Sequence, residues 1–70
     1  MIEEKLREIV ADVLQIQLSG EVRREGAWDS LNHLRIVMSV EEEFGVRLEP
    51  DEVASIASLT DLARVVQAKL

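Results

Sequence analysis

Apolar residues recur at three- and four-residue steps along most of this 70-residue chain, and nowhere do they alternate with a period of two over a useful length. That spacing gathers them on one side of helices and leaves no strand from which to build a sheet. The chain has no Cys, so neither a disulfide nor a thiolate metal site can replace burial, and its one His cannot make a zinc site alone. At this length a hydrophobic core is barely sufficient. The expectation is an all-α bundle held together by its apolar stripes.

The stripes read as follows. Ile2, Leu6, Ile9, Val10, Val13 and Leu14 line one face of a first helix, with Glu3, Glu4, Arg7, Glu8 and Asp12 opposite. The period is lost from residue 15 to 27, a long loop containing Ser19-Gly20 and Gly26-Ala27 that Leu18 and Val22 pin to the core. A second helix opens near Asp29-Ser30, both favoured at N-caps, and carries Leu31, Leu34, Val37, Met38 and Phe44 as its inward stripe. It stops at Gly45, which suits a left-handed C-cap. Leu48-Glu49-Pro50-Asp51 starts a short helix through about Ile56. Ser58-Leu59-Thr60-Asp61 reads as a capping box for a last helix with Leu59, Leu62, Val65, Val66 and Leu70 inward. Three main helices plus one short helix, with a long first connection, make a single unit over residues 1–70. No repeat or linker interrupts it.

The formal charge of −6 is unevenly placed. Between residues 25 and 52 eight acids face only Arg35 and Arg47, while the rest of the chain balances six acids with six bases. Such a localised acidic surface suits a basic protein partner and argues against nucleic acid and anionic membranes. No apolar run is long enough for a membrane span, and the N-terminus lacks the pattern of a signal peptide, so a cytoplasmic location is expected.

Intrinsic catalysis is disfavoured. Asp29, Ser30 and His33 crowd one helical turn and cannot converge as a triad, in which His bridges the other two. The Gly-x-Ser-x-Gly elbow is missing, and Asp29-Ser30-Leu31-Asn32 lacks the Gly and distal Glu of a calcium loop. What remains is a serine hydroxyl at a helix N-terminus beside a carboxylate. A partner enzyme reaches such a position easily, and its amides favour an attached phosphate.

Gly26-Ala27-Trp28-Asp29-Ser30-Leu31, followed by Val37-Met38 and Glu41-Glu42-Glu43-Phe44-Gly45, resembles the acyl carrier protein family over essentially the whole chain. The resemblance implies a non-enzymatic carrier of the family's helical fold, monomeric, with 4′-phosphopantetheine attached to Ser30. A phosphopantetheinyl transferase would transfer the group from coenzyme A, with Mg²⁺ held in the transferase complex. The arm would end in a thiol that holds acyl or aminoacyl groups as thioesters for processing enzymes with basic docking patches. A chain without Cys has to import such a thiol.

By the same resemblance, Asp29 helps the transferase dock, Leu31, Met38 and Leu48 are apolar partner contacts, and Glu41 and Glu42 are acidic partner-facing positions. Fatty-acid carriers typically have acids where Asn32 and Arg35 stand here. Arg35 therefore places a positive charge within the expected docking face, and points to a stand-alone carrier of a specialised pathway. Trp28, one residue before the expected N-cap Asp29, would staple the helix start by facing His33 across one turn, with a direct role beside the arm as the alternative. His33 itself is expected to be exposed. Solid core packing is the competing reading for Leu31, Met38 and Leu48, as a solvated helix end is for Glu41 to Glu43. The alternative function is an acidic helical adaptor that binds a basic protein without any prosthetic group.

Overall fold

The computed structural model describes residues 2–70. Four helices follow in order: α1 (Ile2–Leu14), α2 (Ser30–Phe44), α3 (Pro50–Ser55) and α4 (Leu59–Lys69). No strand forms among the described residues, and α1 packs against both α2 and α4. Leu6, Val10 and Leu14 of α1 meet Ile36, Val37 and Val40 of α2 and Leu59, Leu62 and Val66 of α4 in one core, completed by Trp28, Leu48 and Ile56. α3 contributes no buried residue.

The helix ends obey local chemistry. Asp29 caps α2 by accepting a hydrogen bond from the Asn32 amide at 2.9 Å. Gly45 ends α2 at φ 66°, with its amide donating to the Glu41 carbonyl. Pro50 opens α3, and the Glu52 carboxylate accepts the Glu49 amide at 2.7 Å. Ser58 caps α4 by accepting from the Asp61 amide. The capping box expected there is shifted by one residue: Asp61 reaches back to the amide of Ala57 at 2.9 Å. α1 ends less comfortably, on Gln15 at φ 58°, a left-handed conformation that costs an L-residue about 1 kcal/mol.

The long loop is stitched to the start of α4. Leu59 donates its amide to Val22 at 2.7 Å, Arg24 donates to the Ala57 carbonyl at 3.0 Å, and an isolated antiparallel bridge joins Arg23 to Ser58. Beside it the Thr60 hydroxyl donates to Glu21 at 2.6 Å, and Arg7 reaches the Gly20 carbonyl at 2.8 Å. Leu18 and Val22 pack against the core as their sequence positions suggest.

The inward faces differ from the sequence expectation in two helices. In α2, Leu31, Leu34 and Met38 are exposed, while His33, Ile36, Val37 and Val40 are buried. Both sets run at three- and four-residue steps. The structure buries the β-branched set and turns the longer side chains out. In α4, Leu70 is exposed and Val65 half-buried.

Two pairs of substitutions test these assignments by urea denaturation. Ile36→Ala should cost about 3 kcal/mol, from lost burial and a residual cavity, while Met38→Ala stays within about 0.5 kcal/mol. Gly45→Ala should destabilise by about 1 kcal/mol, because no neighbour crowds an added Cβ and only the positive φ opposes it. Gln15→Gly relieves the same strain at the end of α1 and should raise stability by a similar amount.

Candidate functional site

Ser30 is the first residue of α2 and is exposed. Its hydroxyl forms no hydrogen bond with another described residue. The turn around it is held tightly by others. The Asn32 side chain donates to the Ala27 carbonyl at 2.8 Å, the Trp28 amide donates to Glu25 at 3.0 Å, and Asp29 caps the helix. A free hydroxyl on a fixed turn fits the attachment of a phosphate-linked group, because the first amides of a helix have no intrahelical acceptors and favour negative charge.

Under this turn lies a buried polar pair. The Trp28 indole N–H donates to His33 Nδ1 at 2.9 Å, and the rings sit with centroids 6.0 Å apart. Trp28 is 2% exposed and His33 3%. Trp28 staples the helix start, as its position before the N-cap suggests, but His33 is not the exposed residue expected from the sequence. An indole nitrogen only donates, so Nδ1 must accept and the ring proton lies on Nε2, which donates to the Val53 carbonyl of α3 at 2.8 Å. Burial pushes the imidazole below its ordinary value. The hydrogen bond to Val53 opposes that shift, and the Arg24 charge adds to it.

The residues expected to face partners fall into two groups. Leu31, Arg35, Met38 and Glu42 are exposed along α2, with Leu34 beside them. Met38, 68% exposed, settles its own ambiguity in favour of the surface. Leu48 does not join them. It is 6% exposed and belongs to the core. Glu41 is half-buried, and its carboxylate accepts the Leu48 amide at 2.8 Å, tying the segment after α2 back onto the helix. Glu43 pairs with Lys5 at 3.6 Å and Glu52 with Lys69 at 2.9 Å.

A groove of about 420 Å³ runs between the end of α1 and α2, lined by Asp12, Val13, Gln15, Arg35, Met38 and Ser39. Arg35 lies five residues beyond Ser30, about 7 Å along the axis at 1.5 Å per residue. Sequence reasoning missed this groove. Its two walls come from helices separated by the long loop. No group of acids and histidines suited to a metal ion occurs among the described residues, and no helix is long and apolar enough to cross a membrane.

The acid dependence of stability follows from these partners. His33 has a lowered pKa when folded, so the unfolded chain binds protons more readily below its ordinary value of 6.5. Its contribution is full above about pH 6.5 and is lost as the pH falls below that. Glu21, Glu52 and Asp61 are also lowered: Glu21 chiefly by the Thr60 hydroxyl, Glu52 by the Glu49 amide and Asp61 by the Ala57 amide. Their contributions are present above the ordinary carboxylate values of 4.5 and 3.8 and vanish as the pH drops through the folded values. Urea midpoints measured against pH should therefore fall in two stages, and His33→Gln should remove the first stage alone.

Comparison with known proteins points in one direction. The family described as "Phosphopantetheine attachment site" matches residues 4–66. Polyketide-8 synthase acyl carrier protein 2 of Streptomyces avermitilis is 40% identical over 73 residues, covering 96% of this chain and 83% of that protein. The acyl carrier protein of Clostridium acetobutylicum is 30% identical over 74 residues, covering 97% and 95%. Acyl carrier protein 3 of Ralstonia nicotianae is 31% identical over 72 residues, covering 96% and 83%.

Proposed function

Because the chain belongs to the acyl carrier protein family, a family of carriers rather than catalysts whose prosthetic group is covalent 4′-phosphopantetheine, we propose that Ser30 is its attachment residue and that it presents acyl intermediates to successive partner enzymes. The observation that carries this reading is the exposed, unengaged Ser30 hydroxyl at the first position of α2, on a turn fixed by Asp29, Asn32 and Trp28. When bound, the group supplies the thiol that the Cys-free chain lacks. The chain's own residues do the rest. Asp29 keeps the helix end in place, and the first-turn amides favour the phosphodiester. Tethering raises the effective concentration of the cargo at each partner's active site.

Residues 1–70 act in this reading as a single cytoplasmic carrier domain. The alternative of an adaptor without a prosthetic group gains no support from the family match. The acyl cargo, rather than an aminoacyl one, is supported by the relatives, which are acyl carrier proteins. Polyketide-type chemistry is supported by the Streptomyces avermitilis relative and by Arg35, the cation on an otherwise acidic and apolar face.

Partners would dock on the exposed side of α2, where Leu31 and Met38 supply apolar contact and Glu42 and Arg35 supply charge of opposite signs. Asp29, at the edge of this face, would help place the transferase. With solvent-exposed charges in play, affinity should weaken as salt rises, screened over a Debye length of about 8 Å at physiological ionic strength.

Incubation with coenzyme A, Mg²⁺ and a broad-specificity transferase should add one phosphopantetheine mass to the intact protein and none to Ser30→Ala. A mass gain that survives Ser30→Ala would overturn the assignment. Arg35→Glu should shift the ranking of partner enzymes in competition assays without altering the unfolding midpoint by more than about 0.5 kcal/mol. An unchanged ranking would remove Arg35 from the docking face.

A further inference from the structure

We propose that Trp28 and His33 are positioning residues that latch α3 to the turn carrying Ser30, so that the turn and the neighbouring end of α3 hold or release as one unit. The inference rests on the functional reading above only for the role of Ser30. The latch itself is a property of the unmodified chain.

α3 has six residues and buries none of them, whereas α1 and α4 bury three each. Its attachment relies on a few directed contacts: the His33 ring on the Val53 carbonyl at 2.8 Å, Lys69 on Glu52 at 2.9 Å, and the half-buried Val53 side chain. Of these, the His33 bond is the one that leads to the attachment turn. The same ring accepts from Trp28, and Trp28 immediately precedes Asp29 and Ser30. The pair thus bridges three pieces of chain: the end of the long loop, α2 and α3.

The bridge has one working polarity. His33 must accept at Nδ1 and donate at Nε2, which requires the neutral ring. A proton on Nδ1 sets two donors against each other at 2.9 Å and places a cation in the core. The surroundings offer that cation only the Val53 carbonyl, which is outweighed by burial. Arg24 from the loop is the one charge found to act on the ring, and it repels. Arg24 is itself held to the Ile56 carbonyl at 3.2 Å. On α3, Glu52 is committed to Lys69 and to the Glu49 amide. Losing the bond at Nδ1 frees the ring to turn, and the bond to Val53 is then lost with it.

The test uses unmodified protein, nitrogen-resolved NMR of the imidazole and hydrogen exchange of the backbone. In the wild type, His33 should show a bare Nδ1 and a protonated Nε2, with a titration displaced to acid. Trp28→Phe keeps an aromatic ring but removes the donor. It should let His33 titrate closer to about 6.5 and lower protection of the α3 amides by about tenfold relative to α1 and α4, the loss expected for one buried hydrogen bond. Between about pH 7 and 5 the α3 protection factors of the wild type should fall selectively. His33→Gln, whose amide can accept and donate, should keep them level.

A wild-type ring protonated on Nδ1 would overturn the proposal. So would a Trp28→Phe protein in which α1, α3 and α4 lose protection equally, because that is the behaviour of ordinary core packing. If Trp28→Phe does not fold, the wild-type titration and His33→Gln still decide the matter. Ser30→Ala should show the full latch. Its failure to accept the arm bears on the functional reading alone.

Discussion

The hydrogen bond from the Trp28 indole to His33 Nδ1 lets α2 turn His33 into the core, and much else depends on that phase. Once His33 points inward, the residues three, four and seven positions later follow it, and these are Ile36, Val37 and Val40. The opposite side then has to carry Leu31, Leu34 and Met38 to solvent. A helix of this length with two apolar stripes could turn either one to the core. The polar pair permits the observed choice, because a histidine left in the core without partners would cost on the order of 1–3 kcal/mol. With Trp28 and Val53 as partners, no polar side-chain atom is left buried and unpaired among the described residues.

Turning the longer side chains outward also creates the surface that a carrier needs. Three exposed apolar residues on one helix are poor for solubility but useful for brief docking, provided that charge keeps copies apart. The acidic excess does this less simply than its position in the chain suggests. Counted by segment, the whole −6 falls between residues 25 and 52. In three dimensions Lys5 folds onto Glu43 and Lys69 onto Glu52, while Glu41 is spent on the Leu48 amide. Glu42 is what remains free at the end of the exposed stripe. The exposed charges along this side of α2 are therefore one acid and one base, Glu42 and Arg35, among apolar side chains. Shape and that sign pattern discriminate between partners better than bulk charge does.

The parts of this architecture legible in the sequence are those set by local rules. Asp29, Gly45, Pro50 and Ser58 each act within one turn of the chain, and each sits at the helix end where its chemistry predicts. The Trp28–His33 contact was legible for the same reason, since the staple spans only five residues. What was not legible depends on distant partners. His33 reads as a surface residue until Val53, twenty positions away, supplies its second acceptor. Leu48 reads as a contact residue until the core claims it, and the bridge from Arg23 to Ser58 leaves no alternating pattern because it is a single pair.

The same distinction separates the candidate site from its control. Ser30, Asp29 and the first turn of α2 form a local motif, which is why they stand out in the sequence. The turn itself is held by short-range bonds from Asn32 and Trp28, and its link to α3 runs through a ring whose other nitrogen meets the Val53 carbonyl of that helix. That helix buries none of its own residues, so between Leu48 and Ile56 in the core it depends on the half-buried Val53 and a few directed bonds. In this chain one of those bonds ends in an imidazole that burial holds below its ordinary pKa, about one helical turn along from the serine. The core is built from α1, α2 and α4 with Trp28, Leu48 and Ile56, whereas the polar connection between the turn and α3 is a three-residue chain from Trp28 through His33 to Val53, so the two can be perturbed separately.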